Sequence, residues 1–274
     1  MKAAPLTYRR AESIPHAIEL AGRFDGRAKV MAGGQSLMPL MNLRMSFADQ
    51  VIDISGIAAL RESRFVEEKY FLGAGLTHAM IEDGRVEDPT RGYLRRVAGG
   101  IAYRSIRNRG TIGGSLAHAD PAADWPAALL ALDAIALIEG PEGERNVALA
   151  DFQLGLMETC LGPADVLKGV LVPRLSGGAR WSYLKFCRKV GEFAHSIGAV
   201  VLDPSLGIAN VVLGAVGAKP VRLARLSNYL KSESAVHEQL LREDIVAAGV
   251  EPSSYEFQLH KTIVARAVKE ALGK

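Results

Sequence analysis

The sequence predicts an α+β fold of two domains, and three observations predict it. Stretches of strand and helix character alternate from residue 13 onward. The small residues Leu175-Ser176-Gly177-Gly178 separate a pair of apolar patterns, and 274 residues leave room for one large domain or two moderate ones. With 49% hydrophobic and 23% charged residues, the chain has the make-up of a globular protein, so disordered, collagen-like and coiled-coil readings fall away. A net charge of +3 is too small to mark a protein whose main partner is a polyanion.

Ser13 is placed to cap a first helix, with Pro15 in its first turn and Ile14, Ala17, Ile18 and Ala21 at helical spacing up to Gly22. Ala28 to Ala32 reads as a buried strand running into Gly33-Gly34, and Val51 to Ile54 as another before Ser55-Gly56, a βαβ-like opening. Tyr70 to Leu76 is a further strand, Thr77 caps a helix through Ile81, and Arg91 to Ala102 is an amphipathic helix. Pro126 to Leu132 forms a short helix. Ile135 to Glu139 then meets the turn Gly140-Pro141-Glu142-Gly143, and the β-branched run Val166 to Val172 ends at Pro173. A domain boundary is placed near residue 176. Beyond it Arg180 to Phe186, Gly198 to Leu202 and Gly207 to Val216 are strands, and Ser254 to Leu272 is a long amphipathic helix: a small sheet backed by helices.

Met1 to Leu20 carries Arg9, Arg10 and Glu12 and no apolar core, so no signal peptide is read and the chain is expected in the cytoplasm. The longest apolar runs, Ala127 to Leu132 and Ala134 to Ile138, fall far short of the ~20 residues of a membrane span. Cys160 and Cys187 are the only cysteines and lie outside any CxxC pair, which argues against a disulfide framework or a zinc site. An iron–sulfur cluster finds no ligand set here either.

Gly33-Gly34-Gln35-Ser36-Leu37 and Gly113-Gly114-Ser115-Leu116 echo one another. Without Cβ atoms a backbone can approach a diphosphate and turn N–H groups toward it, and two such loops could grip the two ends of one dinucleotide. A glycine pair serves equally well as a plain tight turn. No GxGxxG follows a strand and no GxxxxGK[ST] occurs, so neither a Rossmann nor a P-loop site is supported. In His118-Ala119-Asp120-Pro121-Ala122-Ala123-Asp124 the spacing fits no standard metal set. Asp120 reads as a turn former at Pro121, and Asp124 either as the cap of the helix at Pro126 or as an acceptor for a ribose or nucleotide ring. Ser182-Tyr183-Leu184-Lys185 matches S-x-x-K but lacks the companion motifs of serine acyl-enzymes. Arg91, Arg95, Arg96, Arg104, Arg107 and Arg109 read as a solvated helix face or a surface for an acidic partner or bound phosphate, and only remotely as a nucleic-acid patch. His16, His78, His195, His237 and His260 form no ligand pair and receive no role.

At these residues the sequence resembles a known family. Ala32-Gly33-Gly34-Gln35-Ser36-Leu37-Met38-Pro39, followed by Asn42-Leu43-Arg44, is similar to the first flavin loop of the FAD-binding medium subunits of molybdenum hydroxylases, a group that includes carbon monoxide dehydrogenase medium chains and the central domain of xanthine dehydrogenase. The run from Arg107 through Gly113-Gly114-Ser115 to Ala127 resembles the second loop more closely still, and the likeness continues through Val166 to Pro173, Tyr183 to Arg188 and Gly214 to Arg222.

The resemblance implies a two-part FAD-binding domain of the vanillyl-alcohol-oxidase type over residues 1–176, in subdomains of about 1–56 and 57–176, followed by a C-terminal antiparallel sheet packed with helices over 177–274. It implies that Val30, Met31, Ala32, Gly33, Gly34, Gln35, Ser36 and Leu37 wrap the FAD diphosphate, that Thr111, Ile112, Gly113, Gly114 and Ser115 form the second clamp, and that Asp124 hydrogen-bonds the cofactor. Leu167 and Lys185 match positions beside the flavin, Lys185 placed to stabilise negative charge on a reduced ring. A bulky side chain at Gly33 or Gly114 is expected to take the space of the diphosphate, and Lys185→Met to leave the fold intact while lowering the flavin potential. Ser115 stands where many members carry Asn, Ile101 where some carry an aromatic contact, and Glu192 where most carry Asp.

The implied function is an electron-transfer flavoprotein subunit without a catalytic side chain of its own. A large partner chain would carry molybdenum-pterin, a small one two [2Fe-2S] clusters, and electrons would leave the FAD for an external acceptor, in a dimer of three-chain units. A stand-alone flavin reductase or oxidase of the same fold, and a nucleotide or nucleic-acid binding module, remain the alternatives.

Overall fold

The computed structural model describes residues 2–24 and 26–274; Met1 and Asp25 lie outside the described residues. The first unit is β1 (Thr7–Arg10), α1 (Ile14–Gly22), β2 (Ala28–Met31), α2 (Leu37–Asn42) and β3 (Gln50–Asp53). Its strands run parallel in the order β1-β3-β2. Helix α1 starts where the sequence places it: the Ser13 hydroxyl accepts from the His16 N–H at 3.2 Å and Pro15 fits the first turn. Its buried face of Ile14, Ala17, Leu20 and Ala21 lies on β2 and β3. Strand β1 escapes sequence reading because Thr7 to Arg10 is exposed throughout and has no apolar alternation.

The second unit is β4 (Ser63–Val66), β5 (Lys69–Gly73), α3 (His78–Glu82), α4 (Tyr93–Gly99), α5 (Arg104–Arg107), α6 (Ile112–His118), α7 (Asp124–Ala131), β6 (Ile135–Gly140), β7 (Gly143–Ala148), α8 (Leu149–Phe152), the small pair β8 (Gln153–Gly155) and β9 (Glu158–Thr159), and β10 (Val166–Pro173). Five strands form an antiparallel sheet in the order β4-β5-β10-β6-β7. The hairpin read at Gly140 to Gly143 joins β6 to β7, with Gly143 at φ +105°. Helix α4 is shorter than the Arg91–Ala102 span expected. Arg91 and Gly92 both sit at positive φ, 58° and 93°, which blocks an earlier start, and Ala102 at φ 42° lies outside the far end.

The third unit is β11 (Arg180–Phe186), β12 (Ser196–Asp203), β13 (Ile208–Gly214), β14 (Val221–Arg222), α9 (Ala224–Tyr229), α10 (Glu238–Ala247) and α11 (Tyr255–Ala271). Its strands are antiparallel in chain order. Ser254 caps α11 by accepting from the Phe257 N–H at 3.1 Å.

Strand β12 is buried along its whole length because it is the wall between two cores. Its side chains alternate: Ile197, Ala199 and Val201 join the main core with α7, whereas Val200 and Leu202 join a second core with Phe257, Val264 and Val268 of α11. Helix α7 is buried at all eight positions, as a helix apolar on every side has to be. The segment after β10 is tied down: the Leu175 N–H donates to Pro89 O at 2.9 Å, and the Ser176 N–H and hydroxyl each donate to the Asp203 carboxylate at 2.7 Å. No helix among the described residues is long and apolar enough to cross a membrane.

Gly113 is where α6 meets the end of β5. A Cβ there would stand 2.3 Å from the Ala74 Cβ and 2.8 Å from its backbone. Gly113→Ala is expected to lower unfolding stability by about 1–3 kcal/mol in urea melts, the usual effect of overpacking, whereas Gly177→Ala, with nothing within 4 Å, leaves the midpoint unchanged.

Candidate functional site

Strand β2 delivers Val30 and Met31, and Ala32 to Ser36 form the loop that enters α2 at Leu37. Gly34 holds φ +72°, and the Gln35 side-chain amide donates to Gly33 O at 3.0 Å, closing the loop on itself. Among the described residues no acceptor faces the N–H groups of Gly33, Gly34, Gln35 or Ser36. Successive free amides in such a turn make a concavity for an anion. The loop's Gly33, Gly34 and Gln35 form one wall of a cavity of about 300 Å³ whose other walls are Leu6, Tyr8, Met31, Met38, Val51 and Arg109, a mostly apolar lining with the Arg109 guanidinium, the Tyr8 hydroxyl and the Gln35 amide as its polar groups.

The second loop backs directly onto the first. A Cβ on Gly33 would stand 1.9 Å from Arg109 O and 3.0 Å from the Gly110 Cα, so the two main chains touch at this point. A side chain at 33 would already strike the second loop, so the glycine is needed for the approach of the two loops. At Gly114 a Cβ would meet the Thr111 hydroxyl at 2.9 Å, again a protein neighbour. Thr111 caps α6 by accepting from the Gly114 N–H at 3.0 Å. The Ile112 and Gly113 amides donate to Leu76 O and Ala74 O, and the Ser115 amide to Thr111 O. The amides of Ile112 to Ser115 are therefore all engaged, and what this segment offers a ligand is the exposed Cα of Gly114 and the Ser115 hydroxyl. Ile112 and Leu167 are buried in the main core.

Asp124 does not cap α7, contrary to one sequence reading; it is the helix's first residue, and Ala123 is the cap position. Its carboxylate is taken by stronger partners. Lys185 Nζ lies 2.9 Å away and the Tyr183 hydroxyl donates at 2.7 Å, both from β11, while Lys185 also donates to Gly100 O at 2.7 Å. Burial pushes the Asp124 carboxyl above its ordinary range, and the Lys185 cation opposes that shift. Burial also pushes the Tyr183 hydroxyl well up, which keeps it a donor.

His78, given no role from sequence, sits between these groups. Its backbone N–H donates to Gly110 O at 2.9 Å, and its ring Nδ1 accepts from Trp125 Nε1–H at 3.0 Å, one residue from Asp124. Burial, with Arg107 nearby, pushes the imidazole down to about 4, so it is neutral at physiological pH. Some of the clustered arginines are neutralised within the chain. Arg107 binds Glu82 at 2.8 and 3.0 Å and donates to Ile101 O and Ala102 O, while Arg104 grips Asp83 through two bonds of 2.7 Å. The arginine hydrogen bonds hold the Glu82 carboxyl below its usual range. Nothing in the spacing of His78, Trp125 or Glu82 announces these contacts; they arise only from the packing of α3, α5 and α7.

The predicted residues thus form two groups, the abutting glycine loops and the Asp124–Lys185 pair, connected through His78 and Trp125. Such an arrangement suits a protein that holds an anionic dinucleotide by backbone. Residues 4–175 match the family described as FAD binding domain in molybdopterin dehydrogenase, and the chain belongs to that family of FAD-binding oxidoreductase subunits. The alpha subunit of the 6-hydroxypseudooxynicotine dehydrogenase complex of Paenarthrobacter nicotinovorans is 33% identical over 99% of this chain and 96% of its own length. The carbon monoxide dehydrogenase medium chain of Hydrogenophaga pseudoflava is 34% identical over 80% of this chain and 76% of its own. A solved structure of carbon monoxide dehydrogenase from the same organism, lacking the Mo-pyranopterin moiety, is similar at a TM-score of 0.91 and 31% identity over 100% of this chain and 99% of that one.

Lys185→Met is now expected to cost stability, about 3 kcal/mol in urea unfolding, because it strands a buried carboxylate; adding Asp124→Asn restores most of the loss, and strict additivity would show the pair uncoupled. Since the fold holds His78 neutral, its contribution is intact above the unfolded value of 6.5 and is lost as pH falls toward about 4. Unfolding free energy measured across this window is expected to fall by up to ~1.4 kcal/mol per pH unit from this group, and His78→Asn to flatten that slope.

Proposed function

We propose that the chain is the electron-transfer subunit of a multi-chain molybdenum hydroxylase. It accepts electrons from the [2Fe-2S] clusters of a small partner chain and passes them to an external acceptor, while a large partner chain carries molybdenum-pterin and the substrate chemistry. The observation that carries the reading is the row of free amides from Gly33 to Ser36, set against the second loop and beside a mostly apolar cavity. These residues fit a diphosphate joined to larger, less polar groups.

FAD bound here supplies a redox centre that accepts and releases electrons singly or in pairs. The chain's own residues do the holding. The amides of Gly33 to Ser36 would donate to the diphosphate, and the Gly114 and Ser115 face would hold it from the second loop. Asp124 and Tyr183 fix the Lys185 ammonium at one place, from which it would set the electrostatics on its side of the cofactor. Cys160 and Cys187 are each half-buried and too few to hold a cluster, so iron–sulfur centres belong to the partner.

In this reading residues 1–176 are the FAD-binding domain and 177–274 a sheet-and-helix domain, and the three chains assemble as a dimer of heterotrimers in the cytoplasm. The names of the relatives above, a complex subunit and a medium chain, support the multi-chain character of the assembly.

The test is purification of the full chain from its native cell through a tag on this subunit, followed by absorption spectroscopy and chromatography of the released nucleotide. FAD at about one per chain, together with two further chains carrying iron and molybdenum, is expected. A solitary chain that turns over substrate by itself would overturn the subunit reading. Gly33→Ala in the same preparation is expected to strip the FAD, because its Cβ forces the two loops apart.

A further inference from the structure

His78 is a buried side chain that abuts Gly110 of the second loop and bonds Trp125, the neighbour of Asp124, and neither the family likeness nor the cofactor reading assigns it a task. It stands at the first position of α3, where Thr77 caps the helix by accepting from the Met80 N–H at 3.2 Å, and it is 4% exposed. On one side the ring meets Gly110. A Cβ there would lie 2.9 Å from His78 Nε2 and 3.0 Å from Cδ2, so only glycine lets the second loop come down onto the imidazole. On the other side Trp125 Nε1–H donates to Nδ1. That bond fixes the tautomer: Nδ1 accepts, and the proton of the neutral ring is on Nε2, the edge turned to Gly110.

The consequence is geometric. Gly110 follows directly on Arg109, whose carbonyl is the surface that Gly33 touches, and it precedes Thr111, the cap of α6. The height of the imidazole therefore sets the height of the Arg109–Gly110 peptide, and this peptide sets the gap between the two glycine loops. Trp125 fixes the ring from the α7 side, next to Asp124, so the gap is keyed to the helix that holds the Asp124–Lys185 pair. Burial, with the Arg107 guanidinium clamped by Glu82 from the same helix as His78, keeps a second proton off the ring.

We propose that His78 is a positioning residue for the cofactor: a spacer, oriented by Trp125, that fixes the second glycine loop against the first and so sets the affinity of the diphosphate grip. The proposal rests on the FAD reading of these loops. A grip of this kind tolerates displacements of only about 0.5 Å before binding suffers, so loss of the spacer reads out in affinity before it reads out in folding.

The experiment uses the full chain, with whatever chains co-purify, stripped of flavin and titrated with FAD by fluorescence quenching, with thermal unfolding of each variant recorded in parallel. His78→Asn keeps an acceptor for Trp125 but removes the ring edge beneath Gly110. It is expected to unfold near the wild-type temperature and to bind FAD about tenfold more weakly. Gly110→Ala probes the same contact from the other side and is expected to weaken FAD binding as well, by pushing the loop up. In the double variant the added methyl meets the space vacated by the ring, and affinity is expected to recover toward wild type. His78→Asn and Gly110→Ala proteins that both bind FAD as tightly as wild type would overturn the assignment. So would a double variant in which the two losses simply add, since that would mean the residues do not act through one contact. A wild-type protein that takes up no FAD would instead overturn the flavin reading of the loops, and this assignment with it.

Discussion

The site depends on one contact between main chains, the Gly33 Cα against the Arg109 carbonyl. Two loops from different units meet there without an intervening side chain, and everything around the contact serves to hold it. From below, β2 and β3 fix where the first loop leaves the parallel sheet. From the other direction, α5 ends at Arg107, the Gly110 N–H returns to Ile106 O at 2.7 Å, and Gly110 O accepts from His78. Glycine appears at 33, 110 and 113 for one reason, close approach of backbone to backbone or ring, and at 34 for another, a left-handed turn. The first loop can leave its amides unengaged because its neighbours, together with the Gln35 side chain bonded to Gly33 O, hold it in shape.

The same economy governs the charges. Helix α7 is buried on every side and carries a single ionisable residue, Asp124, at its first position. A lone carboxylate there would be costly; Lys185 and Tyr183 of β11 make it tolerable and in doing so fasten the third unit to the second. Strand β12 completes that attachment by serving two cores with alternate side chains, so the small C-terminal sheet belongs to the frame that holds Lys185 still.

Much of the frame is legible in the sequence, and the reasons are local. Ser13, Thr77 and Ser254 cap the helices that follow them, the Gly140–Gly143 turn joins two strands, and the apolar runs at 166–172, 180–186 and 198–202 are strands. What stays hidden has no period to show it. Strand β1 is exposed along its length, β7 is polar, and Arg91 and Gly92 interrupt a helix by backbone angles that composition does not display. The glycine loops are legible as motifs, but their physics is not. The motifs suggest glycines that clear room for a ligand, whereas three of them clear room for the protein. Asp124 looks like a cap because caps are local; its partners Tyr183 and Lys185 are some sixty residues away, and His78 lies 47 residues from Trp125.

These partnerships have a functional consequence in common. His78 is held neutral at physiological pH, Asp124 is paired with Lys185, Glu82 with Arg107, and Asp83 with Arg104. A general acid or base needs a proton affinity near the working pH and a free path to the substrate, and none of these groups has both. His78 is too weak a base, and the carboxylates are committed to cations. The result is a site whose ionisable side chains are tied to partners within the chain while the amides of the first loop stay free. That combination suits a site that holds an anionic cofactor by its backbone.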